Sequence, residues 1–330
     1  MLVLAEDKIK KKHEYSFLEI HYIPWYNAFE QTMGVIKIRI AVISDIHGNI
    51  VALEAILEEL KEEKIDKVIA LGDIVNELPN GNEVIDCLKS INAYVIKGNK
   101  EEYLLGYEKC KYNWKNLQFK NIKFMYHQLT EQNKRFIRNL PFDLSFEIEG
   151  VKLKFVHGSP ESICELIYDY NEELIDKYTK NLKEDVLILG HIHDPIWIKE
   201  RNEKTIINAG CAGVSVYNIG QAEYVILDIN DGSFNIESKK VNYSLEKVKE
   251  NIIKSGILEV EKTFINLVYL ALIGKKEIRK SFYREGIQEM KSLGRKLHKD
   301  DAKDIYKVFK LIDDDIWTAQ TEKIKHLFLL

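Results

Sequence analysis

Seven side chains able to bind a metal stand at the ends of five short apolar runs. Residues 38–43 lead into Asp45 and His47, residues 68–71 into Asp73, residues 94–96 into Asn99, residues 153–156 into His157, and residues 186–189 into His191 and His193. In extended chain, Asp45 and His47 at i and i+2 would point to the same side. One cation could then take a carboxylate oxygen and an imidazole nitrogen together. Each feature alone has a plain structural use: Asp-x-His after a strand is commonly a capped turn, and a buried histidine is commonly a hydrogen-bonded core residue. A two-metal site explains all five run ends at once, whereas the structural uses need a separate reason for each.

The runs themselves are short, rich in β-branched residues and closed by glycine or an acid. That pattern predicts strands buried on both faces, with their polar ends emerging at the edge of a sheet. Ile50, Leu53, Ile56, Leu57 and Leu60 form an apolar stripe at helical spacing with Glu54, Glu58, Glu59 and Lys61 opposite, so the first strand is followed by a helix. In open α/β sheets the carboxyl ends of strands gather along one edge, which lets residues far apart in sequence converge. A loop over residues 74–82 with the turn Pro79-Asn80-Gly81 leaves Asp73, and a helix through Val84, Ile85 and Leu88 follows.

Residues 101–140 read as helical, with Thr130 as a cap, Pro141 as a stop and His127 as a candidate pocket residue. Hairpins are predicted over residues 144–155, 196–207 and 222–241, and the late antiparallel strands are expected in a second sheet. From residue 245 onward the pattern is helical. Leu267, Leu270, Leu272 and Ile273, then Ile278, Phe282, Ile287, Met290 and Leu293, then Ile305, Val308, Phe309 and Ile312 suggest three or more amphipathic helices. Such a tail is expected to pack on its own domain or on a second copy, since burial of an apolar face drives helix docking.

The chain has 330 residues, 45% hydrophobic and 30% charged, with a formal net charge of −4. This length can bury a large core, and the acidic balance weighs against a partner as long and anionic as nucleic acid. Cys87, Cys110, Cys164 and Cys211 show no CxxC spacing, which fits a reducing cytoplasm. No apolar stretch reaches membrane-spanning length, and the first residues lack the pattern of a signal peptide.

The ordered set Asp45-x-His47, Gly72-Asp73, Gly98-Asn99, His157-Gly158 and Gly190-His191-x-His193 resembles the calcineurin-like metallophosphoesterase superfamily. Asp45-Ile-His47-Gly-Asn49, the segment from Gly72 to Pro79 and Asn208-Ala-Gly210 resemble its small bacterial phosphodiesterase-type members. The likeness covers residues 36–258. It implies an α/β fold, a four-layer αββα sandwich, preceded by an N-terminal extension (residues 1–35) and followed by a C-terminal helical appendage (residues 259–330). It also implies that Asp73 bridges two divalent ions, with Asp45, His47 and His193 completing one and Asn99, His157 and His191 the other.

Mixed nitrogen and oxygen ligands suit Mn, with Fe, Zn or Ni as alternatives. Two such ions would lower the pKa of a shared water for attack on phosphorus. Asp73, Asn99 and Lys100 are the catalytic candidates, and Asn49, Lys100 and Asn208 the substrate-binding ones. Lys100 stands where many members have histidine. It either holds a phosphate oxygen as a point charge or faces solvent at a helix start, and it is a poor general acid near neutral pH. Cys211, with no base placed beside it by sequence, reads as a packing residue. The leading expectation is a phosphodiesterase acting on a small nucleotide-type diester. The alternatives are a protein Ser/Thr phosphatase-like phosphomonoesterase, which the missing Asp-Arg-Gly pattern after Asp73 weighs against, and a non-catalytic metal-binding scaffold. The expected partners are a small phosphoester and a second copy through the C-terminal helices, with no membrane.

Overall fold

The computed structural model of the chain describes residues 37–109, 117–292 and 314–330. The expected N-terminal extension, Leu293 and the helix read through Ile305, Val308, Phe309 and Ile312 lie outside the described residues. In chain order the elements are β1 (Ile38–Ile43), α1 (Ile50–Leu60), β2 (Lys67–Ala70), α2 (Gly81–Ser90), β3 (Tyr94–Val95), α3 (Asn99–Glu108), α4 (Leu117–Gln128), α5 (Glu131–Arg138), β4 (Asp143–Ile148) and β5 (Val151–Val156). They continue with α6 (Glu172–Asn181), β6 (Val186–Leu189), β7 (Trp197–Arg201), β8 (Lys204–Asn208), β9 (Gln221–Asn230), β10 (Ser233–Asn242), α7 (Leu245–Ser255), α8 (Lys262–Leu272), α9 (Lys276–Ser292) and α10 (Asp314–Ile324).

Two mixed five-stranded sheets result, ordered β10-β9-β1-β2-β3 and β4-β5-β6-β8-β7. In the first, β1 pairs in parallel with β2 and antiparallel with β9, so that Val42 lies opposite Ile69 on one side and Val225 on the other. The second has β5, β6 and β8 parallel, flanked by antiparallel β4 and β7. One expectation needs correction. The hairpin β9–β10 joins the first sheet beside β1 and not the second, because the near-continuous apolar run of β9 is long enough to cover the exposed side of β1.

Alternate residues of β1 serve two cores, which is why the run is apolar apart from Arg39, whose guanidinium pairs with Glu63 and Asp228. Ile38, Ile40 and Val42 meet Phe155, Val186 and Ile188 of the second sheet, while Ala41 and Ile43 share a cluster with Leu53, Ile56 and Ile85 of the helical layer. On the outer side of the second sheet, Leu187, Leu189 and Ile206 pack with Ile175 and Tyr178 of α6. The layers are therefore helix, sheet, sheet, helix. Removing each large aliphatic chain from water contributes ~1.5–3 kcal/mol, and Phe155→Ala between the sheets would cost ~3–5 kcal/mol.

Local signals end the helices where the sequence predicts. The Asn49 side chain caps α1 by accepting the Ala52 N–H at 3.1 Å. Thr130 Oγ1 does the same for α5 with the Asn133 N–H at 3.2 Å. The C-terminal helices differ from expectation in one respect: α8 is not amphipathic, since every residue from Thr263 to Leu272 is buried. It lies in the core shared with α1, α2 and α4, and Asn266 Oδ1 accepts the N–H groups of Leu329 and Leu330 at 3.1 and 3.0 Å. The tail thus packs on its own domain.

Candidate metal centre

The carboxyl ends of the parallel strands of both sheets face one another, and the site lies between them. Asp45 and His47 follow β1, Asp73 follows β2, Asn99 opens α3 after β3, His157 follows β5, and His191 and His193 follow β6. All seven come together. Ligand atoms of Asp45, His47, Asp73 and His193 lie within 4.8 Å of one another, and so do those of Asp73, His157 and His191.

The local geometry corrects the sequence reading. Asp45 and His47 are not in extended chain; their φ angles are 56° and 52°, in the left-handed region. Asp73, His191 and His193 share this conformation, with φ of 49°, 73° and 56°. For residues with a Cβ this costs of order 1 kcal/mol or more each and persists only where neighbours enforce it. Cross-loop hydrogen bonds do so: His47 N–H donates to Asp73 O at 2.8 Å, Gly213 N–H to Asp45 O at 2.9 Å, and Gly190 N–H to His157 O at 2.9 Å. Two glycines permit the close approach. A Cβ on Gly98 would overlap Asp73 Oδ1, and one on Gly190 would overlap Ser44 Oγ.

Each carboxylate divides its oxygens. Asp45 Oδ2 accepts from Ser44 Oγ at 2.6 Å and from the His191 N–H at 2.9 Å. Its Oδ1 has no hydrogen-bond partner among the described residues and lies 3.2 Å from His193 Nε2 and 3.6 Å from His47 Nε2. Asp73 Oδ1 accepts the Lys100 N–H at 2.8 Å and stands 3.4 Å from His157 Nε2. Asp73 Oδ2 is without a hydrogen-bond partner among the described residues, 3.8 Å from His47 Nε2. Buried carboxylate oxygens left in this way are costly unless a charge meets them. The mixed nitrogen and oxygen donor set therefore fits divalent cations.

The imidazoles are held unequally. His157 Nδ1 lies 2.7 Å from Leu71 O, which can only accept, so Nδ1 carries the proton and Nε2 faces Asn99 Oδ1 at 3.0 Å. His47 Nε2 and His193 Nε2 are 2.9 Å apart, and His47 Nδ1 finds no partner among the described residues. Burial would lower the pKa of His157, yet the Asp73 carboxylate raises it to about 9. Burial and the neighbouring His157 take His191 down to about 3. Burial would raise Asp45, but His193 and His47 hold it well below the usual carboxylate range.

Two acids missed by sequence reasoning organise this edge. Glu101 is fully buried and accepts four backbone N–H groups: Asp73 and Gly98 at 2.8 Å each, Ile74 at 2.9 Å and Val75 at 3.2 Å. It ties the loop after β2 to the loop after β3. Burial and the Asp73 charge push its carboxyl up to about 7, against the pull of those amides. Its position three residues after Gly98 at a helix start is the capping-box spacing, the signal that could have found it. Glu77 pairs with Lys100 at 2.9 Å, both side chains about 5% exposed or less. This removes the solvent-facing reading of Lys100.

The remaining candidates are also placed. Asn49 donates to Gly213 O at 2.7 Å while capping α1, and Asn208 donates to the carbonyls of Asp194 and Pro195 at 3.1 Å each, so both amides brace loops. His127 is exposed and bonded to the Tyr107 hydroxyl at 3.0 Å. Cys211 is fully buried, as a packing residue should be. Its sulfur lies 3.5 Å from Asp45 O and 3.4 Å from Val214 N, so it braces the metal loop.

Two facing sheets whose strand ends deliver acids, imidazoles and an amide to one point define a class, and comparison with known proteins agrees with it. The chain belongs to the calcineurin-like phosphoesterase superfamily, whose domain model matches residues 38–232. It is 31% identical over 245 residues to an uncharacterized protein of Methanocaldococcus jannaschii, covering 68% of this chain and 96% of that one. A phosphodiesterase of the same organism is 26% identical over 178 residues, 53% of this chain and 85% of that protein. The fold is similar to the crystal structure of a metallophosphoesterase from Sphaerobacter thermophilus, with a TM-score of 0.57, 21% identity, and coverage of 71% of this chain and 99% of that one. Among the described residues no helix is long and apolar enough to cross a membrane.

Proposed function

We propose that the chain is a metal-dependent phosphodiesterase that hydrolyses a small nucleotide-type diester. The observation that carries this reading is Asp73, whose two oxygens face two separate groups of ligands. On this reading Asp45, His47, Asp73 and His193 would hold one cation, and Asp73, Asn99, His157 and His191 the other, with Mn the best match and Fe, Zn or Ni as alternatives. When bound, such cations activate water and neutralise charge developing on the phosphoryl oxygens.

The residues of the chain favour a diester. Glu77 neutralises Lys100, so the protein adds little positive charge beyond the cations themselves. A singly charged diester suits that balance better than a doubly charged monoester, which gains more from each added cation. The Lys100 ammonium, paired and buried, is also a poor proton donor near neutral pH. The likeness to a relative named as a phosphodiesterase supports the same reading. Cys87 and Cys211 are free thiols, in keeping with a reducing cytoplasm.

The test is hydrolysis of a chromogenic phosphodiester beside the matching monoester by metal-stripped protein titrated with Mn, Ni, Zn and Mg. Turnover of the diester over the monoester, restored best by Mn, is the expected result. Preference for the monoester, or no turnover while two cations bind, would overturn it.

A further inference from the structure

Beside the metal centre lies an aromatic rim that nothing in the proposed chemistry uses. Tyr217 stands on the connector between β8 and β9, whose first residues are tied to the metal loop by Ala212 N–H to Ser44 O and Gly213 N–H to Asp45 O, both at 2.9 Å. Its hydroxyl lies near the carboxylate of Asp194, the residue after His193. The ring is 51% exposed. Tyr170, 71% exposed, lies within electrostatic reach of Tyr217 and stacks on Tyr168 with centroids 5.1 Å apart and planes 6° from parallel.

The C-terminal helices reach this rim. Lys276, in the first turn of α9, sets Nζ 4.6 Å from the Tyr217 ring centroid. The turn before it is seated on the same connector, since Gly274 lies against Ile219. Arg279, one turn further on, acts electrostatically on Glu77, the partner of Lys100. The tail thus reaches both the Tyr217 connector and the surroundings of the Glu77–Lys100 pair.

We propose that Tyr217, held by Lys276, forms a stacking subsite for the base of a nucleoside diester, so that the C-terminal helices take part in substrate selection. The inference rests on the phosphodiesterase reading and names the part of the substrate that the metal centre does not bind. Large aromatic rings left in water beside a reaction centre are what a planar ligand covers, and base stacking on such rings tolerates many bases. The charges of the rim favour the nucleoside over a second phosphate. Asp194 and Asp169 place negative charge at the rim, which opposes a second phosphate, while ribose hydroxyls can donate to a carboxylate.

The experiment uses the full chain loaded with Mn, with a dinucleotide and an aliphatic diester such as glycerophosphocholine as paired substrates. Tyr217→Ala is expected to raise KM for the dinucleotide about tenfold more than for the aliphatic diester, the lower end of what one stacked base contributes. Tyr217→Phe, which keeps the ring and loses the hydroxyl, should recover most of that selectivity; a merely structural role for the hydroxyl would not. Lys276→Ala should move selectivity the same way by a smaller factor, and Ile253→Ala, on the exposed face of α7, should leave it unchanged. Equal effects on both substrates, or none, would overturn the proposal. If neither diester is turned over, the phosphodiesterase reading falls separately, and calorimetry with adenosine monophosphate and inorganic phosphate still tests the rim. A preference for the nucleotide that Tyr217→Ala leaves intact refutes it.

Discussion

The two halves of the metal centre are built on different terms. The half holding Asp45, His47 and His193 has two carboxylates, counting the shared Asp73, but one of its imidazoles, His47, has no acceptor for its far nitrogen among the described residues. The half holding Asn99, His157 and His191 has the shared carboxylate alone, yet His157 is fixed in tautomer and direction by Leu71 O. Charge favours the first half and pre-orientation the second. An additional carboxylate about 4 Å from a cation is worth ~4 kcal/mol per unit charge at an effective dielectric of ~20, while outer hydrogen bonds to a ligand histidine typically change affinity ~10–100-fold, or ~1.4–2.7 kcal/mol. The charge difference wins. Cations should therefore fill the Asp45 half first.

The largest effect should come from the residue common to both halves. Asp73→Asn is expected to lower metal-dependent diester turnover by about three orders of magnitude, ~4 kcal/mol in barrier, with the melting temperature little changed. Survival of full activity would show that the two groups do not share this carboxylate. Asp45→Asn sharpens the comparison next: in a calorimetric Mn titration the tighter of two steps should disappear while the weaker persists. Loss of the weaker step instead would mean that pre-orientation outranks charge.

Glu101→Gln removes an anion from four amide donors and turns an NH2 toward two of them. Denaturant unfolding should show a loss of ~2–3 kcal/mol, the range for hydrogen bonds to a charged group, and both cations should bind ~10–100-fold more weakly because both loops loosen together. Unchanged affinity in either half would confine Glu101 to stability alone.

The smallest effect concerns pH. Burial would raise the Glu77 carboxyl, but Lys100 holds it down to about 2, below its unfolded value near 4.5. The native state then binds fewer protons than the unfolded chain in this window, so the contribution of the pair is complete above about pH 4.5 and drains as pH falls toward 2. Glu77→Gln should flatten the stability profile between those limits. An unaltered slope would mean that the pair does not carry the acid response.

Much of this was legible in the residues. Five apolar runs ending in metal-competent side chains fixed which residues meet, because a buried strand has to release its polar end at a sheet edge. The hairpins, the Thr130 cap and the amphipathic α1 followed from periodicity and turn chemistry. Other features were hidden for definite reasons. Glu101 and Glu77 look like ordinary surface acids until a second loop folds over them, and the left-handed backbone at Asp45 and His47 leaves no trace in residue type. The full burial of α8 depends on neighbours far along the chain.

By itself, then, the sequence determined the strands, the superfamily and which seven metal-competent side chains gather at one edge, since these depend on local pattern and on the ordered spacing of ligand types. Tertiary structure decided how those residues face one another, which oxygens stay open, that Lys100 is paired, and that the C-terminal helices pack into the core of the domain. Each of these rests on contacts between residues dozens to hundreds of positions apart, and local periodicity carries no information about such pairs.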